Sequence, residues 1–445
     1  MLLKNKIQTY SLDDVFGIGE KPYPTCPTYF VRSVHKEFQY SVEHEKQHII
    51  VYGASKQGKS WLVEWGCKSF VRIGCDLNNT RANLFKAMLD SIGYKVGQTT
   101  STNSSYSETQ LSGKMIVQGN AIVAKGEGEF ESGVVSNTGD NTSFTYINID
   151  LENQNEVISA LREKIDGRFI VLENFHYLSQ DVQKELASSL RDFLYYGIRV
   201  IIIGIWKETS KLENLVPDLS SRIEYIDIGN WSENELREVA RLGANALNID
   251  ISENILNLII KNSGYNIGIF KSNLKKVCKD NEIYTTQSEK IVINDIDLAT
   301  RSLENSYQQI INPVMDRIDS LATSKKAGTK GMRYYIVSAI LSLIDEKTPE
   351  ELLCGIDFQE IVSKVNISQG QFNASNIKQE LINIHTRSES IRSRKDKSNN
   401  VIPLFYFDRA KRNGVLYIVE SVLIVARMKG EKFENILGAV EKYVN

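Results

Sequence analysis

Residues 53 to 61 read Gly53-Ala54-Ser55-Lys56-Gln57-Gly58-Lys59-Ser60-Trp61, two glycines five apart with a lysine and a hydroxyl directly after the second. This spacing suits a phosphate cradle. Glycines allow the backbone angles of a tight loop, and the backbone N–H groups at the start of the next helix favour anions. Lys59 would reach the β- and γ-phosphates of a bound nucleotide, and Ser60 would place its hydroxyl on Mg²⁺. The whole stretch from Gly53 to Trp61 is therefore the expected nucleotide-binding loop. It follows the apolar run His48-Ile49-Ile50-Val51-Tyr52 and leads into Leu62-Val63-Glu64-Trp65, the strand and helix that such a loop needs on either side.

A second element should lie downstream, an apolar strand ending in carboxylates that complete the metal shell and orient the attacking water. The run Arg168-Phe169-Ile170-Val171-Leu172-Glu173-Asn174 fits with one departure. Glu173 takes the metal-side position, whereas Asn174 stands where a general base is expected. An amide accepts no proton at neutral pH. Nucleotide and Mg²⁺ binding are thus expected with slow hydrolysis.

Apolar segments alternate with helical patterns from about residue 48 to 228, which predicts a parallel sheet covered by helices. Strands are expected at 48–53, 70–75, 144–149, 168–173, 198–204 and 223–228, with helices over 80–91, 154–164 and 179–196. Between 97 and 143 the chain is rich in Gly, Ser, Thr and Asn. There Met115-Ile116-Val117 and Ala121-Ile122-Val123 flank Gln118-Gly119-Asn120, the pattern of an inserted β-hairpin with flexible arms. A loop without function is the alternative. Tyr29-Phe30-Val31 is read as core packing in preference to a wall for a base.

After Asn230 the pattern turns helical. Ser232-Glu233-Asn234-Glu235 is a capping box, and helices are expected near 252–263, 267–280 and 295–311. Further on, helices near 332–345, 356–366 and 373–386 precede Pro403–Phe407 and Val415–Val419, two runs that read as a hairpin. Three helices and a hairpin are the plan of a winged helix-turn-helix. The approach to the hairpin carries Arg392, Arg394, Lys395 and Lys397, candidates for contact with nucleic acid, though a solvated loop has the same composition.

With 445 residues and 42% hydrophobic content, the chain can bury cores for two or three domains. The net charge of −2 provides no overall drive towards nucleic acid, so any such contact must be local. There is no long apolar span and no secretory leader pattern, and the five scattered cysteines form no metal spacing. A cytoplasmic protein without membrane contact is expected. The expected fold is α/β, a P-loop NTPase parallel sheet with helices on both faces. The expected divisions are a nucleotide-binding core at 1–230 with the insertion at about 97–143, a helical lid at 231–311, a linker at 312–330, and a C-terminal winged helix-like domain at 331–445.

The loop GASKQGKS, the strands FIVLEN and VIIIG, the segment DLSSR and the helical lid together resemble AAA+ ATPases, in particular the replication-initiator and STAND-like groups. LENFHYL and WSENELREVARLGANALNI are also similar to uncharacterised bacterial AAA-family ATPases. The resemblance implies ATP and Mg²⁺ as ligands and an oligomer whose interface carries Arg222, which would reach the γ-phosphate of a neighbour; an ordinary ion-paired arginine is the alternative. It also implies that the lid offers Lys271 to the nucleotide. Ile203-Gly204-Ile205-Trp206 departs from the family pattern by lacking a polar sensor residue. Two uses follow from the likeness. One is a nucleotide-controlled machine or switch acting on nucleic acid, with double-stranded DNA as a candidate partner, and the other is a signalling or antiphage-defence ATPase whose insertion and C-terminal domain bind a protein partner.

Overall fold

The computed structural model describes residues 8–17, 25–96, 133–136, 143–205, 212, 216–323, 331–369, 372–388, 403–409, 414–433, 436–438 and 443. The first eight strands are β1 (His48–Tyr52), β2 (Phe70–Gly74), β3 (Tyr94–Val96), β4 (Gly133–Ser136), β5 (Ser143–Ile147), β6 (Phe169–Glu173), β7 (Val200–Ile203) and β8 (Ile223–Asp227). Five of them form one parallel sheet in the order β2-β6-β7-β1-β8. Strict alternation along these strands builds two cores. Ile50, Ile170, Leu172, Val200 and Ile202 face the helices Arg81–Ser91, Gln154–Lys164 and Gln180–Tyr195, whereas Ile49, Val51, Phe169, Val171, Ile201 and Ile203 face Ser33–Glu43 and Lys59–Gly66. A strand covered on both faces must be apolar at every position, which is why these segments read as continuous hydrophobic runs.

The strand expected at 144–149 does not join this sheet. As β5 it pairs in parallel with β3 and antiparallel with β4, forming a separate three-stranded sheet. Alternation in a sequence reveals a strand but not its partner, and here Tyr94 and Ile147, both buried, anchor the small sheet against the main core. At the end of the expected insertion, β4 and β5 are antiparallel, with Ser136 opposite Ser143. The hairpin expected around Gln118-Gly119-Asn120 lies outside the described residues.

The lid comprises the helices Glu233–Leu247, Glu253–Lys261, Ile267–Asp280 and the start of Ile296–Ala322, with a two-stranded parallel sheet of β9 (Ile249–Ile251) and β10 (Ile291–Ile293) that the periodicity did not reveal. The linker expected at 312–330 is helical as far as Ala322. The helix Ile296–Ala322 runs unbroken through Pro313, because its first half buries Ala299 and Leu303 in the lid while Ile311, Val314, Ile318 and Leu321 continue the same stripe into the C-terminal unit.

The C-terminal unit has helices Met332–Glu346, Pro349–Cys354, Phe358–Gln369 and Ala374–Ser388, then β12 (Phe405–Asp408), β13 (Val415–Ile418) and a last helix Ser421–Lys429. A short strand β11 (Ile356–Asp357) precedes Phe358 and completes a sheet in the order β11-β13-β12. The helix expected from 356 therefore starts at Phe358. This is a winged helix-like arrangement. It is not a detached module, since Tyr406, Tyr417 and Val419 pack into the core of the main sheet.

One buried group sets an acid limit. His48, fully buried at the start of β1, donates from Nε2 to the Leu190 carbonyl at 2.8 Å and accepts the Val200 N–H on Nδ1 at 3.0 Å. Burial lowers its pKa to about 4. The unfolded chain therefore takes up this proton first, and the stability that neutral His48 contributes, complete above about pH 6.5, is lost as pH falls towards 4. That contribution is on the order of 3 kcal/mol. Urea unfolding midpoints should drop over this window, and His48→Gln should flatten the decline.

Candidate nucleotide site

Because β1, β6, β7 and β8 are parallel, Tyr52, Glu173, Ile203 and Asp227 all end at one edge of the sheet. In open parallel sheets ligands bind outside this carboxyl edge. The glycine loop leaves β1 here. Gly53 has φ +142°, and a Cβ on it would meet Ile228 Cγ2 at 2.5 Å. Lys56 and Gly58 have φ +61° and +95°, and the helix Lys59–Gly66 starts without a side-chain cap. Its first N–H groups are free of any capping side chain, the condition an anion site requires.

A cavity of about 560 Å³ lies over the loop. Ser55, Lys56, Gln57, Gly58, Lys59, Ser60 and Trp61 line it, together with Glu173, Asn174 and Lys271. Gly53 and Ala54 do not line the cavity. Their carbonyls instead accept the Lys59 ammonium at 2.9 and 2.7 Å. Burial lowers the pKa of Lys59 to about 7, against the opposing pull of Glu173 and Asp227. Phosphate oxygens would restore the charged form.

Ser60 Oγ donates to one oxygen of Glu173, and the other oxygen pairs with Arg72 at 3.2 Å. Arg72 also binds Glu64 at 2.7 Å. A hydroxyl and a carboxylate are hard oxygen donors that suit Mg²⁺, which takes few protein ligands alongside phosphate and water. Among the described residues no cluster of three His, Cys, Asp or Glu is placed to hold a metal. Ser60 and Glu173, already in contact, are the oxygen donors that would hold Mg²⁺ beside a nucleotide.

Lys271 comes from the lid helix Ile267–Asp280 and is almost wholly buried. Its ammonium lies 4.5 Å from the centre of the Trp61 ring and donates to Cys26 Sγ at 3.6 Å. Burial lowers its pKa, countered by Cys26. Tyr29 lies beside Trp61, centroids 6.1 Å apart and planes 27° apart, and both line the cavity with Phe30. Phe30 packs against the lid core as expected, and Tyr29 and Phe30 in addition border the cavity. The chain before the first core helix folds back over the loop, a path that burial statistics do not encode; Val31, for its part, is 49% exposed.

Ile203 and Ile205 line the cavity, so this part of the wall carries no polar side chain. Trp206 lies outside the described residues, as do Arg392, Arg394, Lys395 and Lys397. Arg222 sits at the far end of the sheet from its own loop, where its carbonyl accepts the His48 N–H at 2.9 Å. Sequence reasoning missed Arg72, His176, Tyr177, Arg32 and Trp231, all of which line the cavity. An arginine inside the apolar run Phe70-Val71-Arg72-Ile73 was the available signal for the first.

The lid is fastened to the loop itself. Gly268 N–H donates to the Lys56 carbonyl at 3.0 Å, and Asn266 Nδ2 donates to the Ser55 carbonyl at 2.8 Å. A Cβ at position 268 would lie 2.5 Å from Lys56 Cβ and 3.1 Å from Lys56 O. Gly268→Ala should push the lid off the loop and destabilise the protein by about 1–3 kcal/mol, the usual cost of overpacking. Thermal unfolding would measure it, and an unchanged midpoint would contradict the close approach.

No family model matches this chain, and no curated protein matches it. Solved structures are similar at low identity. A Walker-type ATPase of Pyrococcus abyssi is 14% identical with a TM-score of 0.49, covering 90% of this chain and 96% of its own. Cdc6p from Pyrobaculum aerophilum is 12% identical with a TM-score of 0.39, over 94% of this chain and 97% of its own. The ORC1 protein of Aeropyrum pernix, solved in complex with DNA, is 10% identical with a TM-score of 0.38, over 94% and 96%. No helix among the described residues is long and apolar enough to cross a membrane. By its own strand order, its glycine loop at the carboxyl edge and the helical bundle fastened over that loop, the chain has a P-loop nucleoside-triphosphatase type of α/β fold with a helical lid.

Proposed function

We propose that this protein binds ATP with Mg²⁺, hydrolyses it slowly, and uses the bound state to control an oligomeric assembly. The observation that carries this reading is the convergence of Lys59, Ser60, Glu173 and the lid's Lys271 on one cavity over a glycine loop. Its volume lies in the range of ordinary small-molecule pockets. Lys59 would exchange the Gly53 and Ala54 carbonyls for phosphate oxygens, a charge-assisted contact stronger than the neutral ones it replaces. Mg²⁺ would neutralise charge on the β- and γ-phosphates. Tyr29 and Trp61 offer aromatic faces at the same cavity, and Lys271 would let the lid sense the nucleotide.

Slow turnover follows from Asn174. It occupies the left-handed region, φ +61° and ψ 32°, which asparagine tolerates far better than a bulkier acid would. The backbone turn and the missing carboxylate are the same feature.

Calorimetry tests the binding. In the free protein Lys59 loses its charge above about pH 7, so ATP must bind together with a proton there. Affinity should fall about tenfold per pH unit above 7. Lys59→Met should lose both the affinity and the pH dependence, and equal affinity in mutant and parent would refute the site.

Arg222 is proposed to complete a neighbour's site. Its place, about 15 Å of strand away from its own loop, supports a role towards a neighbour rather than within one subunit. A guanidinium delivered in trans is worth 10³–10⁵ in rate in well-studied triphosphatases. Subunits carrying Arg222→Ala or Lys59→Ala should each be inactive, and mixing them should recover part of the turnover. Absence of recovery in proven mixed oligomers would remove the finger from Arg222.

A further inference from the structure

We propose that His176 is the base that takes a proton from the attacking water, the task that Asn174 cannot perform; the assignment rests on the ATPase reading above. The turn after β6 positions it. Asn174, in its left-handed conformation, redirects the chain into a single 3-10 turn, Phe175–Tyr177, held by Tyr177 N–H to the Asn174 carbonyl at 2.9 Å and Leu178 N–H to the Phe175 carbonyl at 3.2 Å. A 3-10 helix has three residues per turn, so Phe175 and Leu178 fall on one side. Both are buried in the main core. His176 and Tyr177 are therefore turned away from that core, and both line the nucleotide cavity beside Glu173 and Asn174. His176 is half-buried, its ring 4.0 Å from that of Tyr177.

The other groups at the cavity are poor candidates. Arg32, Lys56, Arg72 and Lys271 are cations, and Lys59 is committed to the phosphates. Glu173 has one oxygen on the Ser60 hydroxyl and the other on Arg72. Tyr29 and Tyr177 are phenols, and a phenol is protonated at neutral pH. His35, the other cavity histidine, has both nitrogens engaged, Nδ1 by the Arg32 N–H at 2.9 Å and Nε2 with the Tyr29 hydroxyl at 2.9 Å. Its pKa is lowered to about 4 by burial, which leaves it a weak acceptor. An imidazole on the Glu173 side of the cavity has the proton affinity for base catalysis near neutral pH.

In the step, a water oxygen forms a bond to the γ-phosphorus while the bond from that phosphorus to the β–γ bridging oxygen breaks. ADP leaves with the electron pair. The water proton passes to an imidazole nitrogen of His176 and then to solvent, which regenerates the neutral base.

The test is turnover of the full chain at saturating ATP from pH 5.5 to 9, with ATP affinity measured separately for each variant. The parent kcat should fall on the acid side as the imidazole takes up a proton. His176→Gln should lower kcat by about 100-fold or more and abolish that limb, while ATP affinity stays unchanged. A His176→Gln protein with the parent's rate and acid limb overturns the assignment. So does a parent that binds ATP without turning it over, which leaves the nucleotide-binding reading intact, whereas a parent that binds no ATP removes both.

Discussion

The contact on which the site depends is the approach of the lid helix Ile267–Asp280 to the back of the glycine loop. Only a glycine at 268 lets the two backbones meet at the Gly268 to Lys56 hydrogen bond. That contact sets the start of the helix, and the helix then carries Lys271 one turn further on, over Trp61. Asn266 adds the second tie, with one amide that donates both to the Ser55 carbonyl and to Ser421 Oγ at 3.0 Å. Loop, lid and C-terminal unit therefore share a single residue. Gln57 reinforces the arrangement, donating to Asn230 and the Tyr265 carbonyl while its own carbonyl accepts the Trp231 indole N–H.

The hinge between core and lid is held by charge as well as by packing. Arg32 donates to Glu235 at 3.0 Å and to the Ile228 and Asn230 carbonyls at 2.8 and 2.7 Å, with its guanidinium over the Trp231 ring. Planar, many-pronged donation of this kind is what lysine cannot reproduce. Glu235 also closes the capping box of the first lid helix, so the same carboxylate fixes the start of the lid and its tie to the core.

The C-terminal unit meets the site from the other side. Glu420 and Arg317, both almost fully buried, face each other at 3.5 Å next to the Ser55–Lys56 corner of the loop. Burial raises the Glu420 pKa against the pull of Arg317. Such a pair contributes little net stability, because desolvation offsets the attraction, but losing one partner would strand a buried charge. The helix Ala374–Ser388 of this unit spends its charged groups internally. Glu380 pairs with Arg333, Lys378 lies over the Phe358 ring, and Arg387 donates to the Ser320 carbonyl.

The local features were legible because they depend on near neighbours in the chain. Loop glycines, strand periodicity, the Ser232 capping box and the wing strands all follow from backbone angles and from alternation of apolar residues. So do Lys59, Ser60, Glu173 and the amide at Asn174. Lys271 came only through resemblance. Strand partners, by contrast, are chosen by contacts between distant segments, which is how β5 left the main sheet for β3 and β4. The passage of one helix from lid to C-terminal unit, the folding of Tyr29 over the loop, and the presence of Arg72 and His176 at the cavity were likewise decided in three dimensions. A single side chain carries its chemistry in its type, but its neighbours are set by burial of surfaces far apart in sequence. From its sequence alone this protein declared a glycine loop with the pattern of a phosphate cradle and an amide where a carboxylate base is expected; only its tertiary structure brought an imidazole to the same cavity.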